Sequence, residues 1–166
     1  KDLQVRVVGE GGNLGATQLG RIEFAKAGGN ICTDAIDNSA GVDCSDHEVN
    51  IKILFASVMH KTGMNTAERN KILELMTDNV SKLVLRDNYL QTLLLRTADY
   101  RANYTLPNHQ AFMRKLEKAG ILDRAIEFLP NDVEIASRLQ DNRGLTSPEL
   151  SVLLAYSKMT LDKDIL

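Results

Sequence analysis

The amino-acid sequence predicts a mainly α-helical protein that carries a small parallel β-α-β part near its N-terminus. From Asp43 onward, apolar residues recur at helical spacing in one segment after another. Within residues 1–42, by contrast, two short β-branched runs flank a single helical pattern. A crossover of this kind joins parallel strands, but a doubly wound sheet needs about six of them. Either the protein is helical with a small β appendage, or the other strands belong to sequence outside this chain.

The β-α-β part is predicted in the following order. Residues Leu3 to Val8 alternate and are rich in valine, which indicates a short buried strand. A glycine-rich turn follows, and a helix is expected from about Thr17 to Lys26, where Gly28 and Gly29 end it. Residues Asn30 to Thr33 then form the second short strand, which would pair in parallel with the first.

Helical segments are predicted through the remainder of the chain. Their ranges are about Asp43 to His60, from Thr66, from Asp78 or Asn79 to Tyr104, Pro107 to Gly120, and from Ser147 onward. Proline is tolerated in a first helical turn because its missing N–H has no intrahelical partner there, which places a helix start near Pro107. Ser147-Pro148-Glu149 is typical of an N-cap that is followed by proline and an acidic residue in the first turn.

The composition is that of an ordinary soluble globular protein, with 43% hydrophobic and 25% charged residues. A net charge of −2 and the absence of a basic stripe argue against a nucleic-acid partner. No apolar run approaches the roughly 18 residues that cross a bilayer, so no membrane association is expected. Cys32 and Cys44 form no Cys-x-x-Cys pair, which favours a reduced, cytoplasmic setting. The chain begins at Lys1 without a methionine, which suggests either a cleaved protein or an excised piece of a longer one.

The turn between the first strand and the first helix is a candidate nucleotide site. Its pattern, Gly9-x-Gly11-x-x-x-Gly15, departs from the standard dinucleotide fingerprint by one extra residue before the last glycine. Glycines allow the backbone to approach a phosphate, and a helix N-terminus attracts anions. Asp34 lies where a ribose-binding acid would follow the second strand. An ordinary glycine-rich turn between a strand and a helix explains the same residues, and both interpretations stay open at this point.

A second candidate is the polar segment from Thr33 to Glu48, which lies between the second strand and the next helix. Open α/β sheets bind ligands at the carboxyl ends of their strands, and Ser39-Ala40-Gly41 would let the backbone approach a ligand closely. The alternative is local, because Ser45-Asp46-His47-Glu48 fits a capping box at a helix start. A nucleophilic pair of Cys44 with His47 and a metal site around His47 are weaker alternatives, since neither has the further groups that such sites need.

At these two segments the sequence closely resembles the glutamate dehydrogenase superfamily. Familiar hexameric members carry Glu-Gly-Ala-Asn-Gly-Pro-Thr after a strand of the nucleotide domain, which matches Glu10-Gly11-Gly12-Asn13-Leu14-Gly15-Ala16-Thr17 with one extra residue. They also carry Pro-Asp and, a few residues later, Asn-Ala-Gly-Gly-Val-x-x-Ser. This second motif matches Thr33-Asp34 and Asn38-Ser39-Ala40-Gly41-Val42-Asp43-Cys44-Ser45 without a gap. The residues of both motifs are most similar to those of the large bacterial NAD-specific branch of this superfamily.

The resemblance implies NAD-linked oxidative deamination of L-glutamate to 2-oxoglutarate and ammonium by an enzyme that is a homo-oligomer at full length. Residues 1–42 would be the last part of a Rossmann-like NAD-binding domain, and residues 43–166 would be a helical C-terminal domain. The glycine turn would be a later turn of the nucleotide fold, so Asp34 would lose its role as the acid that selects NAD. The pyrophosphate loop and the catalytic lysine and aspartate would lie upstream of Lys1. The alternatives are a related amino-acid dehydrogenase and a non-catalytic helical regulatory or assembly module.

The resemblance also implies roles for individual residues. Asn13 would contact the nicotinamide-side ribose of NAD, Asn38 would approach the cofactor near its nicotinamide, and Thr17 is a further cofactor candidate. Val42 and Ser45 would line the pocket for the substrate side chain, where Ser45 would form a hydrogen bond with its carboxylate. No catalytic residue and no metal ligand is assigned within the chain.

We predict that the 166-residue chain on its own has no glutamate dehydrogenase activity and binds NAD weakly at best. Under this interpretation the pyrophosphate loop and the base-bearing domain lie outside the chain, and a partial cleft loses the orientation that catalysis requires. The purified chain is mixed with L-glutamate and NAD, and the formation of NADH is followed by absorbance. Turnover at a rate like that of an intact enzyme would contradict the prediction.

Overall fold

The computed structural model describes residues 3–166. Its helices are α1 (Gln18–Lys26), α2 (Asp34–Asp37), α3 (Ser39–Thr62), α4 (Thr66–Tyr100), α5 (Ala102–Lys118), α6 (Asp132–Gln140) and α7 (Ser147–Ile165). The helix that the sequence predicts from about Thr17 to Lys26 is confirmed as α1. None of the described helices combines the length and the apolar character that a membrane crossing requires.

The chain divides into two compact units. The first unit comprises the residues up to Asp37 together with Thr92–Leu166, and the second unit is Asn38–Gln91. The boundaries therefore fall between α2 and α3 and within α4. The division into domains 1–42 and 43–166 that the resemblance implies stays a prediction, and its first two residues lie outside the described part of the chain.

The hydrophobic core of the first unit is built mainly by α5, α6, α7 and the segments that join them. Its members are buried apolar side chains: Ile36, Leu95, Ala102, Leu106, Met113, Leu116, Leu122, Leu129, Ile135, Leu145, Leu150 and Leu153. Gly144, in the connection between α6 and α7, packs against the backbone of Ala102. A Cβ added at Gly144 would lie 2.3 Å from the Ala102 carbonyl carbon, so only glycine permits this close approach.

A buried ion pair joins α6 to the start of α7. Glu149 is 1% exposed, and its carboxylate accepts hydrogen bonds from the Arg138 guanidinium at 2.8 and 2.7 Å. The same carboxylate accepts a bond from the Thr146 N–H at 2.7 Å and another from the Thr146 hydroxyl at 2.9 Å. A charged side chain buried to this degree is tolerated only when it is paired and hydrogen-bonded. Glu149 is therefore both a helix-capping residue and the ionic partner of Arg138.

The second unit is a helical hairpin made of α3 and the first part of α4. Gly63 ends α3 in the left-handed conformation with a φ of +72°, which glycine adopts without steric cost. Asn65 begins α4 with a reciprocal capping arrangement. Its side chain accepts a bond from the Glu68 N–H at 3.0 Å, and the Glu68 carboxylate accepts one from the Asn65 N–H at 2.9 Å. Phe55 and Val84 are buried apolar residues of this unit.

The prediction of a parallel β-α-β part is wrong, because the described residues contain no strand and no sheet. The two predicted strands meet only at one isolated parallel bridge between Val7 and Asn30. The Val8 N–H donates to the Asn30 carbonyl at 2.9 Å, and the Asn30 N–H donates to the Arg6 carbonyl at 2.8 Å. A single pair of strands is marginally stable by itself, and Val7 is exposed rather than covered by another layer. The Rossmann-like part expected in residues 1–42 is therefore not seen in the described chain.

Several helix boundaries also differ from the predicted ones. Helix α3 begins at Ser39 rather than at Asp43, directly after the short helix α2. Helix α4 runs unbroken through Asp78, which the sequence predicts as a separate start. Helix α5 begins at Ala102, so Pro107 lies in its second turn rather than in its first. Proline at that position forgoes one hydrogen bond to the carbonyl four residues earlier, and α5 continues past it.

We predict that Glu149→Gln lowers the free energy of unfolding by about 3–5 kcal/mol, because it leaves a buried guanidinium without its charged partner. Urea unfolding of the wild-type and variant chains measures the difference. Glu134→Gln is the matched control, since Glu134 is an exposed residue in the capping box of α6 and accepts a bond from the Asn131 N–H at 2.9 Å. The control should lose about 1 kcal/mol or less. Equal losses in the two variants would contradict the prediction.

Candidate functional site

The glycine turn, residues 9–16, is held by carboxylates that bind its backbone. The Asp34 carboxylate accepts a hydrogen bond from the Leu14 N–H at 2.9 Å. The Glu10 carboxylate accepts one from the Ala16 N–H at 2.7 Å. Because these N–H groups are already bonded within the protein, they are not available to a phosphate. The contacts favour a turn that is shaped by protein groups over a phosphate-binding loop.

A buried ion pair between Glu10 and Arg21 lies next to this turn. Arg21 donates from Nε and Nη2 to the two Glu10 oxygens at 2.5 and 2.9 Å. Glu10 is only 7% exposed, and Arg21 is only 5% exposed. Arg21 also lies 3.4 Å from an Asp34 oxygen. The Asp37 carboxylate accepts a hydrogen bond from the Glu10 N–H at 3.1 Å. Glu10, Arg21, Asp34 and Asp37 are termed the Arg21 cluster.

The two aspartates of the Arg21 cluster respond in opposite ways to their surroundings. The pKa of Asp34 is lowered, chiefly by the hydrogen bond from the Leu14 N–H, and Arg21 acts in the same direction. Burial raises the pKa of Asp37, and the hydrogen bond from the Glu10 N–H opposes this change. The folded structure therefore favours the ionised form of Asp34 and disfavours the ionised form of Asp37.

Two residues of the glycine turn have conformational requirements of their own. Leu14 adopts the left-handed conformation with a φ of +58°, and its side chain is 83% exposed. This conformation costs a non-glycine residue roughly 1–2 kcal/mol. Gly15 packs against the Glu10 carboxylate, where an added Cβ would lie 3.1 Å from Oε1. The strained leucine and the closely packed glycine indicate that the surrounding contacts impose one shape on the turn.

Asn13 and Thr17, the cofactor candidates of the first unit, lie in one short exposed segment at the start of α1. Asn13 directly precedes the strained Leu14 in the glycine turn. The Thr17 side-chain oxygen caps α1 by accepting a hydrogen bond from the Gly20 N–H at 3.1 Å. Thr17 therefore has a structural role that does not depend on a cofactor, and Asn13 is exposed in the turn next to Leu14.

In the second unit, hydrogen bonds fix the start of α3 against α4. The Ser39 hydroxyl donates to Asn88 Oδ1 at 2.8 Å and accepts from Gln91 Nε2 at 3.0 Å. One helical turn later, the Asp43 carboxylate accepts from Asn88 Nδ2 at 3.2 Å. The same Nδ2 group donates to the Val84 carbonyl at 2.9 Å. Ser39 and Asp43 are therefore structural residues that face α4.

Another side of the same turns of α3 carries the two substrate candidates. Val42 is 62% exposed, Ser45 is exposed as well, and a spacing of three residues places them on one helix face. Ser45 lies in the second turn of α3, so the alternative in which it caps the helix start is wrong. Asn38 directly precedes α3, and its side chain does not cap the helix. Asn38, Val42 and Ser45 thus follow one another at the N-terminal end of α3.

A groove of about 330 Å³ borders the Arg21 cluster within the first unit. It is lined by Arg21 and Asp34 and by Ser151 and Tyr156 of α7. Burial and the hydrogen bond that Tyr156 donates to the Glu127 carboxylate at 2.8 Å raise the pKa of Tyr156 to about 12. Tyr156 is therefore protonated at neutral pH and does not serve there as a proton acceptor. In the part of the chain that the structure describes, no group of three or more histidine, cysteine, aspartate or glutamate side chains could hold a metal ion.

Sequence reasoning missed the buried pair of Glu10 and Arg21, although a signal for it was present. Arg21 directly precedes Ile22, which the helical pattern of α1 places inward. A charged side chain beside an inward position needs a partner of opposite charge. Glu10, Asp34 and Asp37 are the nearby acids that could be tested for that role. Asp34, considered as a ribose-binding acid, instead accepts a bond from the turn.

Both candidate segments fall within residues 1–98, and this range matches the family of bacterial NAD-glutamate dehydrogenase, catalytic domain. The chain belongs to this family. Proteins named NAD-specific glutamate dehydrogenase from Halomonas elongata and Pseudomonas aeruginosa are 50% and 52% identical to it over its whole length. One of the same name from Mycobacterium tuberculosis is 49% identical over 99% of the chain. The chain spans about a tenth of the length of these relatives, and the resemblance drawn from the two motifs is confirmed.

We predict opposite effects on stability for two conservative substitutions in the Arg21 cluster. Asp34→Asn removes a charge that the folded state favours, and it should cost about 1.5–3 kcal/mol, the range for a hydrogen bond to a charged group. Asp37→Asn keeps an acceptor for the Glu10 N–H and removes a charge that burial disfavours, so it should be neutral or stabilising at pH 7. Thermal unfolding of both variants at pH 7 measures the effects.

The pH dependence of stability gives a second test of the same two substitutions, Asp34→Asn and Asp37→Asn. Because the pKa of Asp34 is lowered by folding, its contribution is fully present above the ordinary aspartate pKa of about 3.9. That contribution is lost as the pH falls through the lowered value, so the difference between wild type and Asp34→Asn should shrink in acid. A larger loss for Asp37→Asn than for Asp34→Asn at pH 7 would contradict the prediction.

Proposed function

We propose that the complete gene product is an NAD-dependent glutamate dehydrogenase, which converts L-glutamate to 2-oxoglutarate and ammonium. The observation that carries the proposal is family membership across residues 1–98, with relatives of that name matching along the chain. Two features of the structure support it. One is the constrained turn that carries Asn13, and the other is the exposed face of α3 that carries Val42 and Ser45.

NAD is the cofactor of this reaction, and it supplies the acceptor for the hydride that leaves the substrate α-carbon. In our proposal the Asn13 carboxamide binds the nicotinamide-side ribose, Asn38 lies near the nicotinamide, and Thr17 is a further contact. Ribose hydroxyls need both donors and acceptors, and a carboxamide offers both, which supports the fit of Asn13 on its exposed turn. We propose no phosphate contact for the N–H groups of Leu14 and Ala16, since carboxylates already bind them.

The substrate would be bound by the exposed face at the start of α3. The Ser45 hydroxyl would donate a hydrogen bond to the side-chain carboxylate of glutamate, and Val42 would contact its methylene groups. The position of Ser45 inside α3 supports this role, because its hydroxyl is not required as a helix cap. Ser39 and Asp43 hold this helix start against α4 through hydrogen bonds with Asn88.

The remaining parts of the proposal concern the complete protein. The catalytic lysine and aspartate and the pyrophosphate loop would lie outside this chain, and residues 43–166 would belong to a helical C-terminal domain. We expect a cytoplasmic homo-oligomer that acts on a small-molecule substrate, without a nucleic-acid or membrane partner. The near-neutral charge balance of 20 basic and 22 acidic residues supports the expectation about nucleic acid.

The test is reduction of NAD by the complete gene product, with L-glutamate compared against L-aspartate, L-alanine and L-leucine at the same concentration. NADH formation with glutamate alone supports the proposal. Formation with another of these amino acids in preference to glutamate would identify a related dehydrogenase and overturn the substrate. Folded protein that forms no NADH with any of them would favour a non-catalytic helical module and overturn the proposal.

We predict that Ser45→Ala in the complete gene product lowers kcat/KM for glutamate roughly 10- to 150-fold. This range corresponds to the loss of a hydrogen bond to a charged carboxylate, which is worth about 1.5–3 kcal/mol. The dissociation constant of NAD should change little, since Ser45 is assigned to the substrate. Steady-state kinetics with glutamate varied at saturating NAD measure the effect.

Ser57→Ala is the matched control for this prediction. Ser57 is also an exposed serine within α3, and no ligand contact is assigned to it. Thermal melting of both variants checks that neither substitution unfolds the protein. If Ser45→Ala keeps the kcat/KM of the control, the assignment of Ser45 to the substrate is wrong.

A further inference from the structure

We propose that Arg21 is a positioning residue for the cofactor, because it fixes, through Glu10 and Asp34, the shape of the turn that presents Asn13 to NAD. This inference rests on the proposed function and deepens it. It assigns a role in cofactor affinity to a side chain that is only 5% exposed and lies beside the turn rather than on its outer surface.

A continuous set of contacts runs from Arg21 to the backbone of the glycine turn. Arg21 donates to both Glu10 oxygens at 2.5 and 2.9 Å, and the Oε1 of Glu10 also accepts from the Ala16 N–H at 2.7 Å. Arg21 lies 3.4 Å from one Asp34 oxygen, and the other Asp34 oxygen accepts from the Leu14 N–H at 2.9 Å. The guanidinium of Arg21, a residue of α1, therefore contacts both carboxylates that bind the backbone of the turn.

The turn does not owe its shape to the preferences of its own residues. Leu14 is held in the left-handed conformation, and its exposed side chain gains no burial that would offset this strain. A strained backbone of this kind persists only where the surrounding structure over-determines it. The Arg21 cluster supplies those constraints, and the residue adjacent to Leu14 is Asn13. A buried ionic cluster here determines the shape of a piece of surface.

Arginine has the geometry that this role requires. A planar guanidinium forms two parallel hydrogen bonds with one carboxylate, here Glu10, and still lies beside a second one, Asp34. A lysine ammonium is a compact point charge without this geometry. Arg21→Lys therefore keeps the charge of the cluster and removes the orientation. Gly15→Ala perturbs the same cluster from the side of the turn, because the added Cβ would lie 3.1 Å from the Glu10 Oε1 and push that carboxylate.

The experiment uses the complete gene product and measures the dissociation constant of NADH by fluorescence titration, together with the KM values for NAD and glutamate. Arg21→Lys should raise the NADH dissociation constant and the KM for NAD about five- to tenfold, the change expected for one lost hydrogen bond. The KM for glutamate should stay close to the wild-type value. A purely structural role would reduce the amount of active protein and leave the dissociation constant of the folded protein unchanged.

Arg138→Lys is the matched control, because Arg138 forms the same kind of two-bond buried pair with Glu149, between α6 and α7. It should lower the melting temperature without raising the NADH dissociation constant. Gly15→Ala is the second variant, and it keeps the inference testable if Arg21→Lys does not fold. Because it lies in an exposed turn, Gly15→Ala should fold, and it should raise the NADH dissociation constant in the same direction.

Two results would overturn the positioning role. One is an unchanged NADH dissociation constant in the folded Arg21→Lys and Gly15→Ala proteins, measured beside a wild type that binds NADH. The other is an equal increase in Arg21→Lys and Arg138→Lys, which would attribute the effect to general destabilisation. A wild type that neither binds NADH nor oxidises glutamate would instead overturn the proposed function, and this inference with it, so the two failures are distinguishable.

Discussion

The ion pair between Glu10 and Arg21 is the interaction on which the candidate cofactor turn depends. Without a guanidinium at this place, the carboxylates of Glu10, Asp34 and Asp37 would be brought together in a partly buried region and would repel one another. With it, Glu10 and Asp34 have an opposite charge beside them and still accept hydrogen bonds from the backbone of the turn. Burial of charge is unfavourable by itself, so the cluster is stable only because these oxygens have partners.

Each of the two family motifs combines residues with different physical tasks. In the first motif, Glu10 is buried and pairs with Arg21, while Asn13 lies at the surface. In the second motif, Ser39 holds α3 against α4 while Val42 and Ser45 lie exposed on another side of the helix. A sequence pattern alone does not separate these tasks, because it reports which residue types are present and not where their side chains point.

The sequence predicted the local features of the fold better than the contacts between distant segments. Helix α1 was predictable because its apolar spacing and its glycine end lie within one short stretch. The start of α3 was not, since Ser39 is held by Asn88 and Gln91, far along the chain. The predicted strands failed for a related reason: an alternating pattern forms a sheet only when further strands cover it, and here it forms one bridge. The family and its candidate residues could be predicted from the motifs, whereas the contacts of Arg21 with Glu10 and Asp34 are visible only in the folded structure.

Glu149 belongs to two structural elements at once, and this dual membership determines how the C-terminal part of the first unit can fluctuate. Its carboxylate accepts the hydrogen bonds of Thr146, the N-cap residue of α7, and neutralises Arg138 of α6 with the same pair of oxygens. If the start of α7 unfolds locally, the guanidinium of Arg138 in α6 is therefore left as a buried charge without a partner. The two helices cannot open one at a time without that penalty. They should behave as one cooperative unit, in which backbone amides of α6 and of the start of α7 become exposed to solvent exchange together.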